Sequence, residues 1–184
     1  MCIRDRYNHP PNVDAVHWLC AEIMPLVWKE EPDLTVTLLG SNPPQSVLAL
    51  QSSRVRVPGY VRDVSHYFTA ARIFVAPLRY GAGMNGKVGQ ALSYRLPVVL
   101  TEMAADGFAL SDGDNCLIAN DAGRFARAIL RLNGDEALWH RFSNAARNVL
   151  APLQPENVKP ALLAVFDQVA GPQTREVTPA GARS

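Results

Sequence analysis

Apolar residues along this chain recur with two alternating periods. From Ala15 to Lys29 the apolar residues Val16, Leu19, Cys20, Ile23 and Val27 fall at helical spacing, and Pro11-Asn12-Val13-Asp14 supplies capping side chains before them. Pro32-Asp33 breaks that helix, and Leu34–Leu39 then reads as a short buried strand ending in Gly40-Ser41-Asn42. The alternation continues with a weak helix over Pro44–Gln51, a strand over Arg54–Pro58 and a helix over Val64–Ala71 capped by Asp63. Ile73–Ala76, Pro97–Thr101 and Cys116–Ala119 are the remaining strands, with a helix over Lys87–Tyr94 between the first two. Helices over Ala122–Leu132, Glu136–Leu150 and Pro155–Val169 follow, and the Pro/Gly/Thr-rich stretch from Gly171 onward is expected to be disordered.

Short apolar strands alternating with helices predict an α/β fold: a single Rossmann-like, doubly wound parallel sheet covered on both faces. In such a sheet ligands bind beyond the carboxyl ends of the strands. Here those ends carry Gly40-Ser41-Asn42, Gly59-Tyr60, Arg79 through Lys87, Thr101-Glu102 and Asn120-Asp121. Small and polar residues thus gather on one rim.

Composition narrows the function classes. A length of 184 residues, 48% hydrophobic and 19% charged, suits one globular domain, and a net charge of +1 gives no reason to expect nucleic acid. No apolar run approaches the ~20 residues of a membrane span. Three scattered cysteines, Cys2, Cys20 and Cys116, match neither a zinc cluster nor a disulfide framework, so a reducing, cytoplasmic setting is expected.

The loop Arg79-Tyr80-Gly81-Ala82-Gly83-Met84-Asn85-Gly86-Lys87 is the most informative stretch. Glycines let backbone N–H groups approach a ligand, and the following helix presents its positive end to an anion. With Arg79 and Lys87 at its ends the loop would suit a diphosphate; a glycine turn between two solvated cations is the plainer alternative. It is not a Walker A loop, because Val88 stands where the magnesium-binding hydroxyl would be. Asp112-Gly113-Asp114 has Asp-x-Asp spacing but the surroundings of an ordinary turn, and no metal is expected.

The stretch Pro77–Leu92, continuing through Ser93–Thr101, resembles the carboxyl-terminal domain of the group 1 (family 4) retaining glycosyltransferases. Pro11-Asn12-Val13-Asp14-Ala15, Gly59-Tyr60-Val61-Arg62-Asp63 and Thr101–Gly107 fit the same pattern, in the same order, across about Tyr7 to Leu150. The resemblance implies one half of a GT-B fold, holding a nucleoside diphosphate sugar as donor substrate with no other cofactor. Carried over by position, Arg79 and Lys87 contact the diphosphate with help from the N–H groups around Gly83, Met84 and Asn85. Gly59, Tyr60 and Val61 border the base. Glu102, read from its own place at a strand end on the rim, could touch ribose or sugar hydroxyls, with a carboxylate opening a solvated loop as the alternative. Gln90 stands where the family has a carboxylate on the ribose, and the loop's Ala82 replaces an acidic residue.

The implied partner is a glycan or lipid-linked acceptor, engaged through an amino-terminal half, with peripheral membrane association of the full-length enzyme. Met1–Arg6 is polar where relatives have an apolar strand, so it is expected to be foreign sequence and the sheet to lack its first strand. The domain is therefore expected to run over 7–170. Such a fragment would bind donor weakly or not at all and would not transfer sugar. A non-catalytic nucleotide-sugar-binding module, acting with a separate partner half, is the alternative.

Overall fold

The computed structural model describes residues 2–170, so the expectation for 171–184 lies outside it. Six strands form one parallel sheet: β1 (Cys2–Arg6), β2 (Val36–Ser41), β3 (Val55–Gly59), β4 (Phe74–Ala76), β5 (Val98–Leu100) and β6 (Leu117–Ile118). Their spatial order is β3-β2-β1-β4-β5-β6. That order is the doubly wound arrangement of the Rossmann fold, in which the winding reverses between the first and fourth strands.

The expected loss of the first strand is corrected by β1. Cys2–Arg6 lies in the middle of the sheet, in register with β2 from Cys2 opposite Thr37 to Arg6 opposite Ser41, and with Cys2 opposite Phe74 of β4. Parallel pairing is a property of main-chain donors and acceptors, so a polar segment can complete a ladder that hydrophobic patterning alone would deny it.

The apolar strands divide their side chains between two cores by the strand period of two. Val36, Leu38, Ile73, Val75 and Val99 face a core shared with Val16, Leu19, Ile23, Val27, Phe125 and Ile129. Their neighbours Leu39, Phe74, Ala76, Val98 and Leu100 face a second core with Phe68, Val88, Leu92, Ala146 and Val149. Burial on both faces explains why these strands read as unbroken apolar runs rather than alternating ones.

The first helix differs from expectation in its start and its middle. It begins at Pro10, with α1 (Pro10–Trp18) passing through a π turn (Leu19–Ile23) into α2 (Met24–Glu30). Prolines at the start of α1 suit a position whose N–H has no helical partner. Pro25 sits in the first turn of α2; its ring would clash with the carbonyl four residues back in a regular helix, and the π turn just upstream widens the backbone there.

The remaining helices are α3 (Gln45–Leu48), α4 (Ser65–Ala70), α5 (Gly86–Ser93), α6 (Glu102–Ala105), α7 (Ala122–Gly134) and α8 (Glu136–Leu150). The hydrophobic pattern held no sign of α6, a single turn. The chain divides into two compact units, Met1–Leu150 and Ala151–Ser184. In the second, α9 (Pro155–Ala170) exposes Leu162, Leu163, Val165 and Phe166. No helix among the described residues is long and apolar enough to cross a membrane.

Candidate functional site: a cleft over the reversal of the sheet

β1 and β4 diverge into connections on opposite sides of the sheet, and a cleft of about 760 Å³ opens over their carboxyl ends. One wall comes from the β1–α1 junction, with Asn8, His9, Pro11 and Asn12. The opposite wall is the Tyr80–Gly86 loop with Lys87 and Gln90 of α5, and Tyr60 and Val61 close one end.

The loop that forms this wall is built from its ends. Thr101, buried at the end of β5, donates its hydroxyl to the Leu78 carbonyl at 2.5 Å and accepts the Ala104 N–H as the cap of α6. One side chain thus ties the exit of β4 to the neighbouring strand. Gly81 and Gly83 then take φ of 144° and 82°, values that L side chains avoid. Asn85 caps α5 by accepting the Lys87 N–H at 3.2 Å, and its carbonyl accepts from Val88 at 2.9 Å. The eight-residue α5 therefore points its positive end into the cleft.

The two cations that flank the loop occupy different environments. Lys87 lines the cleft, and its ammonium donates to the Asn12 side-chain oxygen at 3.0 Å across the floor. Asn12 itself is only 4% exposed. Arg79 lies outside the cleft lining: its Nε donates to Asp14 Oδ2 at 2.9 Å, a second bond runs from Nη2 to Oδ1, and the guanidinium lies 5.5 Å from the Trp18 ring centroid. The first turns of α1 therefore hold both ends of the glycine loop.

The Arg79 hydrogen bond holds the Asp14 carboxyl below its ordinary value of 3.8. A carboxyl depressed in the folded state adds stability that is complete above its unfolded value and disappears as pH falls through the folded one. Asp14→Asn is therefore expected to lower the melting temperature at neutral pH and to leave the two proteins converging in strong acid. A constant offset down to pH 2 in a pH series of thermal melts would contradict this.

Other sequence-predicted positions divide in the same way. Gly83, Met84, Asn85, Gln90, Tyr60 and Val61 line the cleft; Gly59 and Glu102 do not. Gly59 ends β3 at φ 74°, and Tyr60 after it lines the cleft while staying 74% exposed. Glu102 is exposed at the start of α6, where its N–H donates to Asn120 Oδ1 at 3.0 Å, and its neighbour Met103 reaches the cleft instead. Asp112 accepts the Ile118 N–H at 2.8 Å within its own turn. Cys116 is fully buried, and burial pushes its thiol up to about 12.

Among the described residues that line the cleft, Lys87 is the one cation and none is a carboxylate. A glycine loop, a helix amino terminus and a lysine meet over the reversal of a parallel sheet, and the class this defines is a half-domain of Rossmann type. The chain belongs to the group 1 glycosyl transferases, whose family model matches residues 5–135.

A curated relative from Klebsiella pneumoniae, described as an uncharacterized 44.6 kDa protein in the cps region, is 25% identical over 130 residues, covering 66% of this chain and 34% of its own length. The chain thus spans about a third of that relative. A mutant of S. aureus TarM, solved with Fondaparinux, alpha-GlcNAc-glycerol and UDP, superposes with a TM-score of 0.72 at 20% identity, over 90% of this chain and 34% of that one. The C-terminal domain of a glycosyl transferase group 1 family protein, LpcC of Francisella tularensis, matches with a TM-score of 0.64 at 16% identity, over 81% of this chain and 82% of that domain.

Proposed function

We propose that this chain is the donor-binding half of a glycosyltransferase and that its cleft takes a nucleoside diphosphate sugar. The observation that carries the reading is the convergence of the Lys87 ammonium, the glycine loop and the amino terminus of α5 on one cleft wall. A diphosphate leaving group would be stabilised there by fixed charge and N–H dipoles, without a proton transfer from this half. Lys87 and the N–H groups of Met84 and Asn85 serve the diphosphate, Gln90 the ribose, and Tyr60 and Val61 the base. The UDP in the TarM mutant complex supports a nucleotide as the ligand. Arg79 supports the loop through Asp14 in this arrangement, and meets a phosphate directly only on leaving that carboxylate.

The intact enzyme would move a hexose-like unit from the donor to a hydroxyl of a glycan or lipid-linked glycan, with the acceptor held by sequence beyond this third of the relative's length. On that reading the chain alone transfers nothing. The test is a thermal-shift and calorimetric titration with UDP, GDP and ADP. Stabilisation by one of them identifies the base, whereas a cooperative melt that none of them moves removes the donor-site assignment.

A second reading, a binding module that acts with a separate partner half and performs no chemistry, is favoured by Gln90 and the absence of a carboxylate among the described cleft residues. Nucleotide binding alone does not separate the two. Sugar release from a nucleotide sugar on adding a separately produced amino-terminal half would favour the enzyme.

A further inference from the structure

Behind the glycine loop lies a segment that does not itself line the cleft, the turn that follows α6. Gly107 there has φ of 84°. A Cβ on Gly107 would lie 3.0 Å from Met84 Cβ and 3.2 Å from both Met84 Cα and Cγ. The next residue makes a second contact with the same wall: a Cβ on Gly89, in α5, would lie 3.2 Å from Phe108 Cζ and 3.3 Å from Cε1. Two glycines, one on each partner, therefore let the 107–108 turn press against the loop at Met84 and against α5 just beyond it.

The turn is itself anchored. Phe108 N–H donates to the Ala105 carbonyl at 3.3 Å and Leu110 N–H to the Phe108 carbonyl at 2.8 Å, while Phe108 packs against the core that holds Val88 and Leu92 of α5. Through α6 and its Thr101 cap, the turn is continuous with the residue that fixes Leu78 at the loop's entrance. The loop is thus held at its start by Thr101 and pressed from behind at Met84.

We infer that Gly107 and Phe108 are positioning residues for the anion-binding wall: their close approach sets where the Met84 and Asn85 N–H groups stand. This rests on the donor-site reading for its consequence in binding, but not for its geometry. A side chain on Gly107 would displace Met84 by some tenths of an ångström, and binding geometry of this kind is sensitive on that scale, an ångström of misplacement costing up to ~100-fold in related settings.

A matched control exists within the chain. Gly113 has nearly the same backbone conformation, φ 78°, but nothing lies within 4 Å of where its Cβ would be. Gly107→Ala and Gly113→Ala therefore impose the same left-handed strain, and only the first pushes on Met84.

The experiment compares both variants with the unaltered chain by amide hydrogen exchange across 81–87 without ligand, and by calorimetry with UDP. Gly107→Ala is expected to speed exchange in 81–87 and to weaken UDP binding about tenfold, while Gly113→Ala leaves both within about twofold of the parent. Combining Gly107→Ala with Met84→Gly, which deletes two of the three atoms in the way, is expected to recover most of the affinity. Unchanged exchange in Gly107→Ala overturns the inference, as does an equal change in Gly113→Ala, which would mark a general loss of stability. If the unaltered chain binds none of UDP, GDP and ADP but the exchange contrast appears, the positioning role stands and the donor-site reading falls.

Discussion

Lys87→Met is expected to lower the affinity for the cognate nucleoside diphosphate by about 10- to 100-fold, measured by calorimetric titration. Lys87 is the one cation among the described residues lining the cleft, and it stands where the α5 amino terminus also points. A hydrogen bond to a charged group is worth ~1.5–3 kcal/mol, and tenfold in affinity is ~1.4 kcal/mol. Methionine keeps the length and apolar stem of lysine, so the fold should survive the removal of the ammonium's hydrogen bond to Asn12. Salt supplies a second axis: removing a cation that meets phosphate flattens the dependence of affinity on ionic strength. Arg79→Met should act differently, reducing stability by breaking the pair with Asp14 while weakening nucleotide binding less. Equal losses of affinity in the two variants would show that Arg79 leaves Asp14 for the ligand. Unchanged affinity in Lys87→Met would remove the assignment of that wall to the diphosphate.

Phe125→Ala is expected to have the largest effect on stability, ~3–5 kcal/mol in urea denaturation. Phe125 of α7 is fully buried, and its ring meets Trp18 edge-on with centroids 6.0 Å apart and planes at 66°. A typical domain has only ~5–15 kcal/mol in all, so the variant should be close to its threshold at 37 °C. The damage should also reach the site. Trp18 lies between Phe125 and the Arg79 guanidinium, so a cavity at Phe125 loosens the surface on which the Asp14–Arg79 pair rests. A loss below about 1 kcal/mol would mean that the neighbours collapse into the space.

The elements most legible in the sequence were those whose side chains decide them. Phe74–Ala76 and Val98–Leu100 are apolar on both faces because two cores flank them, and such runs announce buried strands. β1 was illegible for the opposite reason: its place depends on main-chain pairing with β2 and β4, which leaves no apolar pattern to read. The start of the first helix was misplaced because Asn12 and Asp14 look like caps, whereas their side chains reach Lys87 and Arg79.

At the site, the glycine loop and Lys87 could be read from local chemistry. Arg79 could not be placed, because its partner Asp14 is 65 residues away along the chain. Glu102 suited the rim by its position at the end of a strand, but the unseen turn of α6 sends Met103 there instead. Gly107 was visible only as the end of the Thr101–Gly107 stretch, with no role attached; its importance lies in the atoms of Met84 that a sequence cannot bring near.

The π turn between α1 and α2 bears on how this chain can gain or lose residues. Such a turn is one residue longer than the regular helix it interrupts. Deleting a residue elsewhere in α1 or α2 would rotate everything beyond it by about 100° about the helix axis, carrying Val16 or Val27 out of the core. Within Leu19–Ile23 the same deletion would restore a regular helix and leave both flanks facing as they do now. Only Pro25 opposes it, since a regular helix would drive its ring into the Ala21 carbonyl. The chain should therefore accept a one-residue deletion at this point when Pro25 is exchanged for alanine at the same time, and length variation among its relatives should track the presence of that proline.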